Sequence, residues 1–189
     1  MAHSWDLPPV TEEQLAQVEE RIVAAIAKRS TDDLHLLGFG ELGVAVGWPK
    51  GDPSIVCKRQ APGPADAVEA ERRRMLAYEA ELRKRGALVV PAHLCTLRHP
   101  GDRAVLYVVQ PIIEQERLAE NIIAADEPDP GHPILVSIRD TVRAIVTDTP
   151  ELGLSIDAQV TNFAWNDETV VSLDTTPPLL WASDSGPFY

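Results

Sequence analysis

The chain has 189 residues, 44% of them hydrophobic, and a formal net charge of −12. That length suits one or two small domains with a core of their own. The acidic balance argues against a nucleic-acid partner, which needs concentrated Lys and Arg, and leaves room for a nucleotide held in a local pocket with a metal ion. Two cysteines, Cys57 and Cys95, sit in apolar strand-like runs and read as buried free thiols of a reducing compartment. No charged-then-apolar leader opens the chain, and no apolar run approaches the ~18 residues of a membrane span, so a cytoplasmic protein without a membrane partner is expected.

Thr11-Glu12-Glu13-Gln14 forms a capping box, and Leu15, Val18, Ile22 and Ile26 then keep one helical face to about Lys28. This helix is expected to pack on the first strand. Residues 33 to 37, 43 to 48 and 54 to 58 predict three strands, followed by a hinge at Pro62-Gly63-Pro64. Residues 65 to 85 are rich in Ala, Glu, Arg and Leu, with Val68, Met75 and Leu82 on one face, and Gly86 ends that helix. A connector over 87 to 91 leads to strands at 94 to 97 and 104 to 109, joined across His99-Pro100-Gly101-Asp102. Gln110-Pro111 is expected to break the pattern as a linker between lobes. A helix over 114 to 125, an exposed acidic loop over 126 to 133 and a helix from about 133 to 147 follow, the last burying Ile134, Ile138, Val142 and Ile145.

Two constellations carry chemistry. The first is Gly38-Phe39-Gly40-Glu41-Leu42-Gly43. In a dinucleotide-binding unit such glycines open a helix. Here they open a strand, Val44 to Trp48; Pro49-Lys50-Gly51-Asp52-Pro53 turns the chain, and Ile55-Val56-Cys57 leads into Lys58, fifteen residues after Gly43. The second is Ser155-Ile156-Asp157-Ala158-Gln159-Val160-Thr161-Asn162, then a hairpin through Asn166-Asp167, then Asp174 at the end of an apolar strand, twelve residues beyond Asn162. The histidines show no ligand spacing, and Trp48, Trp165 and Trp181 read as packing residues.

In this order the chain resembles the protein-kinase-like superfamily over residues 33 to 178, and within it the small-molecule phosphotransferases of aminoglycoside and choline kinase type. The resemblance implies an α+β fold, with an N-terminal antiparallel sheet lobe carrying one long helix and a short, mostly helical C-terminal lobe. Residues 1–30 would be a helical extension, 31–110 the nucleotide-binding lobe and 111–189 a partial C-terminal lobe. It further implies ATP and Mg²⁺ as cofactors and a small-molecule hydroxyl as acceptor. Gly38, Gly40 and Gly43 would cover the phosphates and Lys58 would pair with them. The acidic partner of Lys58 would be Glu79, with Glu81 and Glu71 open as alternatives on the same helix. Gln110 and Ile112 would lie in the hinge that meets adenine. Asp157 would orient or deprotonate the acceptor hydroxyl, and Asn162 and Asp174 would hold Mg²⁺.

The chain departs from the family pattern in three places. Ser155 replaces a histidine that braces the loop in many members. Thr175-Thr176-Pro177-Pro178 follows Asp174, and the prolines stiffen the segment where an activation loop begins. Only fifteen residues follow Asp174, so the resemblance implies a truncated or reduced C-terminal lobe. Two functions fit: a phosphotransferase or its nucleotide-binding part, and a non-catalytic kinase-like protein that binds a nucleotide or a partner.

Overall fold

Thr11 starts the first helix as its capping box dictates: its hydroxyl accepts from the Gln14 N–H at 3.2 Å, and the Gln14 side chain accepts from the Thr11 N–H at 2.9 Å. The computed structural model describes residues 3–40, 43–178, 180–182 and 186–187. Glu41 and Leu42 of the glycine motif, and Leu179, Phe188 and Tyr189, lie outside the described residues. In chain order the first elements are α1 (Glu12–Lys28), β1 (His35–Gly40), β2 (Gly43–Trp48), β3 (Ile55–Gln60), β4 (Gly63–Pro64), α2 (Ala65–Lys84), β5 (Leu88–Val89), β6 (His93–His99) and β7 (Arg103–Pro111). Then come α3 (Ala119–Ala125), α4 (Pro133–Ile145), β8 (Thr147–Asp148), β9 (Leu152–Leu154), β10 (Phe163–Trp165), β11 (Val170–Ser172), β12 (Leu180–Ala182) and β13 (Gly186–Pro187). The class is α+β, with an antiparallel N-terminal sheet. Among the described residues no helix is long and apolar enough to cross a membrane.

The chain divides into two compact units, with boundaries after Ser4, after Arg72 inside α2, after Val90 and after Ile112. The sheet unit spans Trp5–Arg72 and Pro91–Ile112. Its strands run in the order β1-β2-β3-β7, all antiparallel; β4 continues along β3's side of β7, and β6 pairs with the other side. Leu15, Val18 and Ile22 of α1 share one core with Val46, Ile55, Cys57, Val105, Tyr107 and Val109 of the sheet. The apolar stripe of the first helix is therefore buried in the core of the sheet unit.

The hairpin unit holds residues 3–4, Arg73–Val90 and the described residues from Ile113 onward. Tyr78, Leu82, Ala87 and Val89 share its core with Ile134, Ile138, Ile145, Leu154, Phe163 and Val170. Helices α3 and α4 lie with a three-stranded sheet, β10-β11-β5, and a four-stranded one, β13-β12-β9-β8.

Four local expectations are corrected. The strand expected over 33 to 37 begins at His35 and runs into Gly38 and Gly40, so the glycines are strand residues. Gln110-Pro111 does not break β7, and Pro111 pairs with Ile55. Proline is tolerated there as the last residue of the strand, beyond the end of β6 pairing at Val109. The helix expected over 114 to 125 is split into a 3₁₀ turn, Gln115–Arg117, and α3. Between them Leu118 is extended (φ −69°, ψ 127°), because it bridges to Ala164. The connector over 87 to 91 contains β5, which pairs in parallel with β11.

Candidate functional site

The sheet unit has two unlike faces, and the alternation Gly43-Val44-Ala45-Val46-Gly47-Trp48 in β2 creates them. Directly opposed residues of antiparallel strands share a face. Gly38 opposes Ala45, Ala45 opposes Lys58 and Lys58 opposes Val108, so these form one row across four strands. Gly47 and Gln110 both oppose Val56 and lie on the same face. On β2 this face carries only Gly43, Ala45 and Gly47; Val108 flanks Lys58 on β7, and the His35 and Pro53 side chains lie against Gly47. The other face presents Leu36, Val44, Val46 and Trp48 to the core with α1. At about 4.8 Å per strand, Lys58 and Gly38 are about 10 Å apart, with only Ala45 between them in the row.

The glycines differ in what they need. A Cβ at Gly43 would come within 1.8 Å of the Arg59 carbonyl oxygen, so close approach of β3 dictates glycine there. A Cβ at Gly38 would meet nothing within 4 Å. Neither packing nor a positive φ requires glycine at 38, and the open space is what close approach of a ligand to backbone needs. Gly40 opposes Gly43 at the mouth of the hairpin, where only Glu41 and Leu42 intervene. At the other end of the row, Gln110 is buried near the end of β7, and the Ile112 N–H donates to the Ser54 carbonyl at 3.2 Å.

A buried charged cluster lies behind this face and was not legible beforehand. Arg59 Nε and Nη2 donate to the two carboxylate oxygens of Glu19, each at 2.7 Å. The Tyr107 hydroxyl donates to the same carboxylate, and His99 Nε2 lies 3.1 Å from it. Burial by itself would raise the Glu19 carboxyl, but hydrogen bonds from Arg59 and Tyr107 and the nearby positive charge hold it below the ordinary value. The same contact raises Arg59. Burial, with Cys95 nearby, pushes the Cys57 thiol up to about 12, so it is an inert core residue, as its sequence surroundings suggested.

In the hairpin unit, Asn162 and Asp174 flank one end of the β10–β11 hairpin. Phe163 opposes Ser172, and one residue outward the Leu173 N–H donates to the Asn162 carbonyl at 2.9 Å, which brings Asn162 beside the start of the Asp174 turn. Asp174 is held by its own Asx turn, its Oδ1 accepting from the Thr176 N–H at 2.8 Å. Asp157, half-buried, accepts from the Gln159 N–H at 3.2 Å through Oδ1. The loop before it has a brace that local sequence could not reveal: the buried Tyr78 of α2 donates its hydroxyl to the Ser155 carbonyl at 3.0 Å. A residue 77 positions upstream thus holds the loop at Ser155.

Of the helix glutamates, Glu79 takes Arg83 in a hydrogen-bonded ion pair at 2.8 Å. Glu81 lies 3.3 Å from Lys84 and 3.9 Å from Arg85. Glu71 is half-buried in the part of α2 that belongs to the sheet unit with Lys58. Among the described residues no three His, Cys, Asp or Glu side chains are gathered as a metal site.

These features define an α+β protein with a glycine-lined sheet face and a separate carboxylate–amide hairpin. The chain belongs to the family described as DUF6206, a family of unknown function, whose model matches residues 18–185. No curated protein matches the sequence. Among solved structures the chain is similar to the amicoumacin kinase hAmiN in complex with AMP-PNP, Ca²⁺ and Ami, at 11% identity and a TM-score of 0.41, covering 93% of this chain and 69% of that one. It is also similar to a double mutant of the Mycobacterium tuberculosis PknI kinase domain, at 15% identity and a TM-score of 0.38, covering 76% of this chain and 58% of that one.

Proposed function

We propose that this protein is an ATP- and Mg²⁺-dependent phosphotransferase of protein-kinase-like architecture that acts on a small-molecule hydroxyl. The observation that carries the reading is the row of Gly38, Ala45 and Lys58 on one sheet face, whose far side is fully committed to the core. A stretch of backbone from Gly38 to Lys58 with nothing larger than the Ala45 methyl between them is what close approach of a polyphosphate requires. Adenine would lie along the end of β7 near Gln110. There the β6 pairing has ended, and the Ile112 N–H already serves Ser54.

Asn162 and Asp174, at one end of the β10–β11 hairpin, would offer Mg²⁺ hard oxygen donors. Two protein ligands are enough for an ion that keeps waters and takes its remaining oxygens from phosphate. Bound there, the ion would neutralise charge on the transferring phosphoryl group. The chain's own residues do the rest. Lys58 fixes the phosphates as a point charge, and Glu71, in the same unit, is the partner we assign to it in preference to Glu79 and Glu81. Asp157, with Tyr78 steadying the loop before it, orients the acceptor hydroxyl and takes its proton. The reading sets the protein in the cytoplasm, where Mg-ATP is at hand, and gives it no nucleic-acid partner.

Release of ADP from Mg-ATP across a panel of hydroxyl-bearing small molecules tests the transfer step. Acceptor-dependent ADP release by wild type, lost in Asp157→Asn while Mg-ATP still binds, supports the enzyme. A second reading, nucleotide binding without transfer, is favoured by Thr175-Thr176-Pro177-Pro178 after Asp174, where the prolines stiffen the segment. Binding of Mg-ATP with no acceptor-dependent ADP release from any member of the panel would replace the first reading with the second.

A further inference from the structure

The Glu19 cluster has no part in the chemistry above, yet it touches the phosphate-binding strand. The Glu19 and Arg59 side chains are each only 9% exposed. An apolar pair of similar volume would serve stability as well as a buried ion pair does, so stability alone does not account for the charges. Arg59 follows Lys58 on β3, and strand alternation sends the two side chains to opposite faces. The Arg59 carbonyl oxygen is also the atom on which Gly43 is seated, 1.8 Å from where a Cβ would stand. One residue therefore has its guanidinium fixed by α1, its backbone set under the glycine hairpin and the phosphate-binding lysine as its neighbour.

We propose that Glu19 is a positioning residue for nucleotide binding: its two-point grip on Arg59 sets the register and height of β3, and through it the placement of Lys58 and of the glycine hairpin. The inference rests on the nucleotide-binding reading given above. A carboxylate–guanidinium fork fixes orientation as well as distance, which a pair of flexible apolar side chains does not. Tyr107 and His99, on β7 and β6, complete the carboxylate's surroundings and tie the same point to the rest of the sheet.

The test measures Mg-ATP affinity by titration calorimetry well below the unfolding temperature, together with amide hydrogen exchange over residues 44–46 and 56–59. Glu19→Gln and Arg59→Lys are each expected to bind about tenfold more weakly than wild type, as small misplacements of binding groups do, with faster exchange in both segments. Arg59→Lys keeps a cation at the site and preserves the test if Glu19→Gln does not fold. Ile22→Val, in the same core but outside the cluster, is expected to lose stability with unchanged affinity. Wild-type affinity in both folded cluster variants, or equal weakening in Ile22→Val, would overturn the positioning role while leaving nucleotide binding intact. Absence of binding by wild type itself would bring down the nucleotide reading and this inference with it.

Discussion

Glu19 is a carboxylate in an apolar core, and its charge is tolerable only because Arg59, Tyr107 and His99 surround it. Since its folded pKa lies below the ordinary glutamate value of 4.5, its contribution to stability is present above that value and is lost as pH falls through the lower, folded one. Acid unfolding followed by circular dichroism should therefore show a steep loss below about pH 4.5 that Glu19→Gln lacks. At neutral pH Glu19→Gln should cost about 3–5 kcal/mol in a denaturant titration, because Arg59 is left buried without its counter-charge. Tyr78 is a gentler case. Tyr78→Phe should lower stability by about 0.5–1.5 kcal/mol through its lost hydrogen bond to Ser155. It should lower turnover and leave the apparent affinity for Mg-ATP unchanged, since what it steadies is the Asp157 loop. None of these partners was visible in the sequence. Glu19 and Arg59 are 40 positions apart and Tyr78 and Ser155 are 77 apart, and no local pattern couples residues at such separations.

The elements themselves were largely legible. The Thr11 capping box, the apolar stripe of α1 and the glycine at the end of α2 act within a few residues, and each appears where expected. The failures were of another kind. Leu118 breaks a helical pattern for the sake of a bridge to Ala164, and β5 exists only because β11 lies beside it. The small–large alternation of β2, taken with period two, already separates a small-residue face from the core face. A pair of substitutions separates the roles of the glycines. Gly43→Ala should destabilise the sheet by about 1–3 kcal/mol, because its methyl meets the Arg59 backbone. Gly38→Ala should leave stability unchanged or raised by up to about 1 kcal/mol, yet weaken Mg-ATP binding, because only a ligand uses that space. On α1, Ile22→Ala should cost about 2–5 kcal/mol in the same denaturant titration and unfold the sheet unit with the helix, since both share one core.

For the molecule as a whole, the sequence order of glycine hairpin, strand lysine, Asp157, Asn162 and Asp174 resolves into two built groups, each inside its own unit. On one sheet face Lys58 has only Ala45 between it and Gly38, and Asn162 and Asp174 sit at one end of one hairpin. Each is proposed to take part in binding Mg-ATP, and a ligand that binds only the folded protein must stabilise it. Thermal unfolding with and without Mg-ATP tests this most directly. At a hundred times its dissociation constant, Mg-ATP should contribute about 2.7 kcal/mol, a rise of roughly 5–10 °C for a chain of this size. Lys58→Met and Asp174→Ala should lose most of that rise. No rise at millimolar Mg-ATP, or an equal rise in both variants, would contradict the account.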